Sequence, residues 1–149
     1  MTARRPRRIG LTLPQRGAFF DVITVPELVE TGHFADESGL FDSVWIGDSL
    51  LAKPRPESIA LFGALAAVTE NVRLAVGCMA SFPVRDPILL ADQWATLDQI
   101  SGGRMLLAVC TGIVKAADAS AREGALYGVT DKSRTGRLEE NIAILRRLW

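Results

Sequence analysis

Asp48 has both the type and the place for chemistry. It follows the apolar run Phe41-Asp42-Ser43-Val44-Trp45-Ile46 across a single Gly47. A carboxylate set directly after a buried strand can face a cavity, where it handles a proton or a polar ligand. Its plainer role is a turn or a helix cap. Cys110 closes another apolar run, 104–110, and Cys78 closes a third, 72–78, with Met79 beside it. A thiol at a cavity wall could meet a ligand, whereas a small buried hydrophobe there is ordinary packing. The single histidine, His33, falls within a helical stretch and reads as structural, so no Ser-His-Asp triad is assembled. The two cysteines lie far apart and form no CxxC pair. The sequence therefore predicts neither a disulfide framework nor a metal site, and a reducing cytoplasm is the default.

Elements must position these residues. The apolar pattern predicts strands at 8–13, 41–46, 72–78 and 104–110, each close to continuously apolar, as strands covered on both faces are. Thr24 offers an N-cap to a helix with Pro26 and Glu27 in its first turn. Leu28, Thr31, Phe34, Ala35 and Ser38 follow at helical spacing, and Gly39 supplies the stop. Residues 57–69 form a second helix, buried on a broad face. Asp86-Pro87 opens a third, with Leu90, Trp94 and Leu97 as its stripe and Ser101-Gly102-Gly103 as its end. A short helix over 116–127 follows. An amphipathic helix over 131–149 then puts Leu138, Ile142, Leu145 and Trp149 on one face. Arg104 opens the fourth strand, at the end where a charge locks neighbouring elements, with Asp98 as a partner in reach.

Strands alternating with helices imply a parallel sheet with right-handed crossovers. An open doubly wound sheet and part of a closed barrel both fit, and periodicity does not choose between them. In either, ligands sit beyond the carboxyl ends of the strands. That rule selects Pro14-Gln15-Arg16-Gly17, Gly47-Asp48-Ser49, Gly77-Cys78-Met79-Ala80 and Cys110-Thr111-Gly112. No GxGxxG follows the first strand, and neither a Walker A run nor a GxSxG elbow is present.

Composition narrows the partners. The chain has 149 residues, 48% hydrophobic and 23% charged, which suits one soluble globular domain. Its 17 basic and 17 acidic residues cancel, which argues against nucleic acid or an anionic membrane as the main partner. The basic start, Arg4 to Arg8, reads as a solvated terminus. No apolar stretch is long enough to span a membrane, and no secretory signal follows the first arginines. A small-molecule substrate is the remaining expectation.

Three segments together carry a family resemblance: FDSVWIGD at 41–48, ATLDQISGGRMLLAV at 95–109 and RLEENIAILRRLW at 137–149. They resemble the luciferase-like monooxygenase superfamily, which also contains deazaflavin-dependent reductases. The second segment is the most specific. The resemblance implies a (β/α)8 barrel with reduced FMN, or alternatively the deazaflavin F420, at the C-terminal mouth of its strands. The implied chemistry is oxygenation of a substrate at the flavin or, alternatively, hydride transfer with the deazaflavin. It also implies a non-proline cis peptide at or near Cys78-Met79. Carried onto this chain, it makes Asp48 the catalytic candidate and Cys78, Met79, Ala80, Cys110 and Thr111 the cofactor-binding candidates.

The chain departs from the family pattern at Ser49, where members often carry a histidine that acts as a base. Serine does not serve as a base near neutral pH without a partner. The length is the other departure, since such barrels need roughly 250 residues. The sequence thus predicts the first half of a barrel, cut short after four strands. Its two sheet edges would be open to association with another copy or a partner chain.

Overall fold

The computed structural model describes residues 8–112 and 119–149. Four parallel strands are β1 (Gly10–Thr12), β2 (Ser43–Ile46), β3 (Arg73–Met79) and β4 (Met105–Val109). They alternate with α1 (Val25–Glu37), α2 (Ser58–Val68) and α3 (Pro87–Ser101); α4 (Ala119–Leu126) and α5 (Arg134–Leu148) follow. The predicted helix over 116–127 is found from Ala119, and its first three positions lie outside the described residues. A single 3-10 turn, Asp131–Ser133, replaces the first turn predicted for the last helix.

The strand order is β1-β2-β3-β4, so each strand pairs with the next in sequence. A doubly wound sheet reverses its order at a switch point. This one does not, and the chain is therefore a partial (β/α)8 barrel. The helices also pack consecutively, α1 on α2, α2 on α3 and α3 on α5. Val44, Ile46, Leu74 and Val76 face them, buried under Leu28, Phe62, Leu65, Leu90 and Leu97. Phe62 meets Trp94 edge to face at 5.7 Å, a favourable ring geometry. On the other face Trp45 lies across Gly10 and Gly77; a Cβ at either glycine would strike the indole.

Local signals account for the helix ends. Thr24 and Glu27 form a reciprocal capping box at α1. Asp86 caps α3 by accepting from Leu89 N at 2.8 Å. Gly102 and Gly103 end α3 with φ of 68° and 84°, where a side chain would be strained. One predicted stripe is different. Leu28, Gly32, Ala35 and Asp36 form the buried face of α1, and Phe34 is 69% exposed. Gly32 fits beneath Leu65 and sets that register; Phe34, six residues from Leu28, falls about 120° away from it.

Two charged side chains lock the N-terminal ends of the strands. The Arg104 guanidinium donates to Ser101 O, Thr69 Oγ1, Thr69 O and Val72 O at 2.6–2.9 Å. The anticipated partner Asp98 instead accepts from Met105 N. Thr69 caps the C-terminus of α2 and Ser101 ends α3, so the cation serves carbonyls that the helices leave unpaired. Asp36 does the converse, accepting from Glu70 N, Asn71 N and Val72 N at 2.6–2.9 Å. Burial pushes its carboxyl up, but these donors outweigh burial and hold it below its ordinary value of 3.8. A depressed folded value contributes stability above the unfolded value and loses it as pH falls through the folded one. We expect Asp36→Asn to cost about 2 kcal/mol near neutral pH, because the amide turns one acceptor into a donor. Urea midpoints of the two proteins should converge below about pH 4; a constant gap down to strong acid would contradict the charge.

Candidate active site

The C-terminal ends of β2, β3 and β4 open into a cleft of about 280 Å³. That is near the lower end of the roughly 300–1,000 Å³ of small-molecule sites. Gly47, Gly77 and Gly112 line it, with Asp48, Cys78, Ala80, Cys110, Arg55, Glu123 and Arg134. Of the residues singled out in the sequence, Asp48, Cys78, Ala80 and Cys110 meet here. Met79 does not; it is fully buried in the helix-facing core. Thr111 is adjacent, and its contribution is a carbonyl that accepts from Arg134 Nη1 at 3.1 Å.

Asp48 is buried and fully engaged. Its Oδ1 accepts from Ser58 Oγ at 2.6 Å and Arg85 Nη2 at 3.0 Å, and its Oδ2 from Ser81 N at 2.7 Å. Arg85 Nη2 also reaches Glu57 Oε1 at 2.7 Å. Burial alone pushes the Arg85 guanidinium down, but Asp48 and Glu57 outweigh it and hold it above its ordinary value. Together these groups tie the end of β2 to the starts of α2 and α3. Ser49 Oγ accepts from Lys53 N at 2.9 Å and so shapes the loop after β2. His33 lies far from this cleft, on α1, bonded to Val68 O and paired with Glu37.

The cysteines overturn a sequence expectation. Cys78 and Cys110 are joined as a disulfide, with their Cα atoms 6.0 Å apart. Their separation of 32 residues argued against pairing, but β3 and β4 are neighbours and end side by side. Parallel pairing across one crossover therefore supplies the geometry that local spacing hides. Neither sulfur is a free thiol. The non-proline cis peptide is Gly77-Cys78, next to the Cys78-Met79 bond at or near which the resemblance places it.

Four charged cleft residues were not singled out in the sequence: Lys53, Arg55, Glu123 and Arg134. Lys53-Pro54-Arg55-Pro56, a basic pair stiffened by prolines, is the one signal that points to the first two. Glu123 is buried, and its Oε2 accepts from Leu51 N at 2.7 Å and Ala52 N at 2.8 Å, pinning α4 to the β2 loop. Arg134 is 1% exposed; its Nη1 and Nη2 serve the carbonyls of Thr111 and Ser120. Burial of an arginine at this point depends on carbonyls brought by the fold.

A parallel sheet wound one way round, with its cleft at the strands' C-terminal ends, defines one wall of a (β/α)8 barrel. The chain belongs to the luciferase-like monooxygenase family, which matches residues 7–149. It is 32% identical over 129 residues to an F420-dependent glucose-6-phosphate dehydrogenase of Amycolatopsis mediterranei, covering 83% of this chain and 37% of that protein. It is 30% identical over 125 residues to the oxygenase component of a flavin-dependent trigonelline monooxygenase of Acinetobacter baylyi, covering 83% and 33%. Its fold matches the monooxygenase RslO1 of Streptomyces bottropensis with a TM-score of 0.77 at 24% identity, covering 96% of this chain and 43% of that one. The chain thus spans little more than a third of the length of the curated relatives it matches. The family uses flavin or deazaflavin cofactors.

The disulfide is directly testable. Unfolding the protein under alkylating, non-reducing conditions should leave both cysteines unlabelled, and prior reduction should add two labels by intact mass. Two labels without reductant would remove the bond.

Proposed function

We propose that this chain forms the flavin-binding wall of a monooxygenase-type oxidoreductase that uses reduced FMN. The observation that carries the reading is the cleft itself. Glycines at the ends of three adjacent strands let Arg55, Trp45 and Arg134 lie close against the backbone, and polar side chains stand around the space that remains. A flat ring with polar edges fits such a site: the disulfide and Ala80 give its face an apolar wall, and Arg55 and Ser49 offer donors to its edge.

When bound, a reduced flavin supplies the electrons for oxygen activation or hydride transfer. The chain's own residues bind and orient. The Cys78–Cys110 disulfide and Ala80 form a wall, and the Asp48–Arg85 pair holds the ends of β2 and the β3–α3 loop in register. Asp48 is then a positioning residue, since both its oxygens are already committed to donors. A second reading, deazaflavin-dependent hydride transfer, is favoured by the likeness to the glucose-6-phosphate dehydrogenase. It requires a proton acceptor for an alcohol substrate, and Ser49 stands where the family often places one.

Anaerobic titration with reduced FMN and with reduced F420, read by tryptophan emission, tests both. Trp45 lies on Gly77 beside the cleft and should be quenched saturably. Ala80→Leu should abolish quenching with the melting temperature unchanged. Tighter FMN binding supports the oxygenase reading, tighter F420 binding the alternative, and no saturable quench with either sinks both.

The edges β1 and β4 lead to one more proposal. Open edges of a parallel sheet attract further strands, and we place a second copy of the chain against them. Sedimentation should give a dimer; a monomer across micromolar concentrations would dismiss it.

A further inference from the structure

Two arginines flank the cleft, each laid against a glycine. Arg134 sits beside Gly112 and Arg55 over Gly47, where any Cβ would run into its guanidinium. Their bonding differs. Arg134 donates to two carbonyls and has Asp131 at 3.5 Å. Arg55 makes one long contact among the described residues, from Nε to Lys53 O at 3.4 Å, and neither of its Nη nitrogens has a protein acceptor. The side chain is nevertheless half-buried.

Its surroundings sharpen the imbalance. Burial pushes the Arg55 guanidinium down, Asp48 pulls it up, and Arg16 pushes it down again. Asp48 already faces Arg85 and has little charge to spare. Lys53, exposed two residues away, adds another cation whose ammonium has no hydrogen-bond partner among the described residues. The backbone is stiff here: prolines flank Arg55, and Gln15 Nε2 holds Pro56 O at 2.7 Å. A half-buried fork with two unused nitrogens, fixed in place, is the arrangement that takes an oxyanion in two-point fashion.

We propose that Arg55, supported by Lys53, is an oxyanion subsite at the rim of the cleft, suited to a phosphate group. It rests on reading the cleft as a flavin and substrate site. The phosphate could belong to the cofactor or to a phosphorylated substrate.

Inorganic phosphate is the first probe, titrated into the full chain and followed by amide and arginine Nε–H resonances. Saturable shifts are expected at Gly47, Lys53 and Arg55. Arg55→Gln should weaken binding about tenfold or more, the size of a lost charge-assisted pair. Gly47→Ala keeps the charge but displaces it, and should weaken binding as well. Arg147→Gln, exposed on α5, should titrate like the parent protein. Arg55→Gln titrating like the parent protein would overturn the subsite. The next arms compare FMN with riboflavin, and a hexose phosphate with the free hexose. An FMN advantage over riboflavin that vanishes in Arg55→Gln assigns the cofactor phosphate; a hexose phosphate advantage that vanishes assigns the substrate. Riboflavin binding with no Arg55-dependent phosphate effect leaves the flavin site standing and removes the subsite. Arg55-dependent phosphate binding without any flavin binding does the reverse.

Discussion

The buried Asp48 carboxylate is the constraint on which the upper face of the sheet depends. It is joined to α2 through Ser58, to the loop after β3 through Ser81 N, and to the approach to α3 through Arg85. Arg85 extends the knot to Glu57, and its backbone carbonyl accepts from Asn141 of α5. Removing the acid would strand a buried guanidinium, and breaking such a pair costs about 3–5 kcal/mol. The cleft floor lies directly above. Its shape is a consequence of this ion pair as much as of the sheet.

Much of the fold was legible in the sequence because its signals are local. Thr24 with Glu27, Asp86 before Pro87, and the Gly102-Gly103 stop each act within one turn. The family segments implied a barrel and the strand order agrees, but periodicity did not choose between barrel and doubly wound sheet, because strand order is a property of the whole chain. The Phe34 error has the same origin: the register of α1 is set by Gly32 against Leu65, on another helix. The disulfide was missed for a related reason, since a crossover of 32 residues conceals two adjacent strand ends.

The site was legible by position more than by chemistry. The strand-end rule reached Asp48, Cys78, Ala80 and Cys110, all of which line the cleft. It missed Arg55, Glu123 and Arg134, which arrive from loops and helices that fold back over the strands. It also could not separate Met79 from its neighbours, although alternate residues of a strand face opposite sides. Net charge is equally silent about the site. A chain with 17 cations and 17 anions still concentrates Lys53, Arg55 and Arg134 about one cleft against Asp48 and Glu123.

That local excess of positive charge bears on which chemistry suits this wall. Hydride removal from an alcohol needs an acceptor for the hydroxyl proton. Asp48 has its oxygens filled by three donors, and Glu123 Oε2 holds two backbone N–H groups. Ser49 accepts from Lys53 N and does not ionise near neutrality. Among the described residues the wall is therefore rich in donors, and both Asp48 oxygens and Glu123 Oε2 are already engaged. Donors and fixed cations favour the binding of anionic groups and of negative charge that develops on a bound ring or on oxygen. A group that must take a proton is better placed elsewhere around the cleft. On this wall the disulfide, the glycines and the clasped Asp48 hold the shape, and the arginines set its charge.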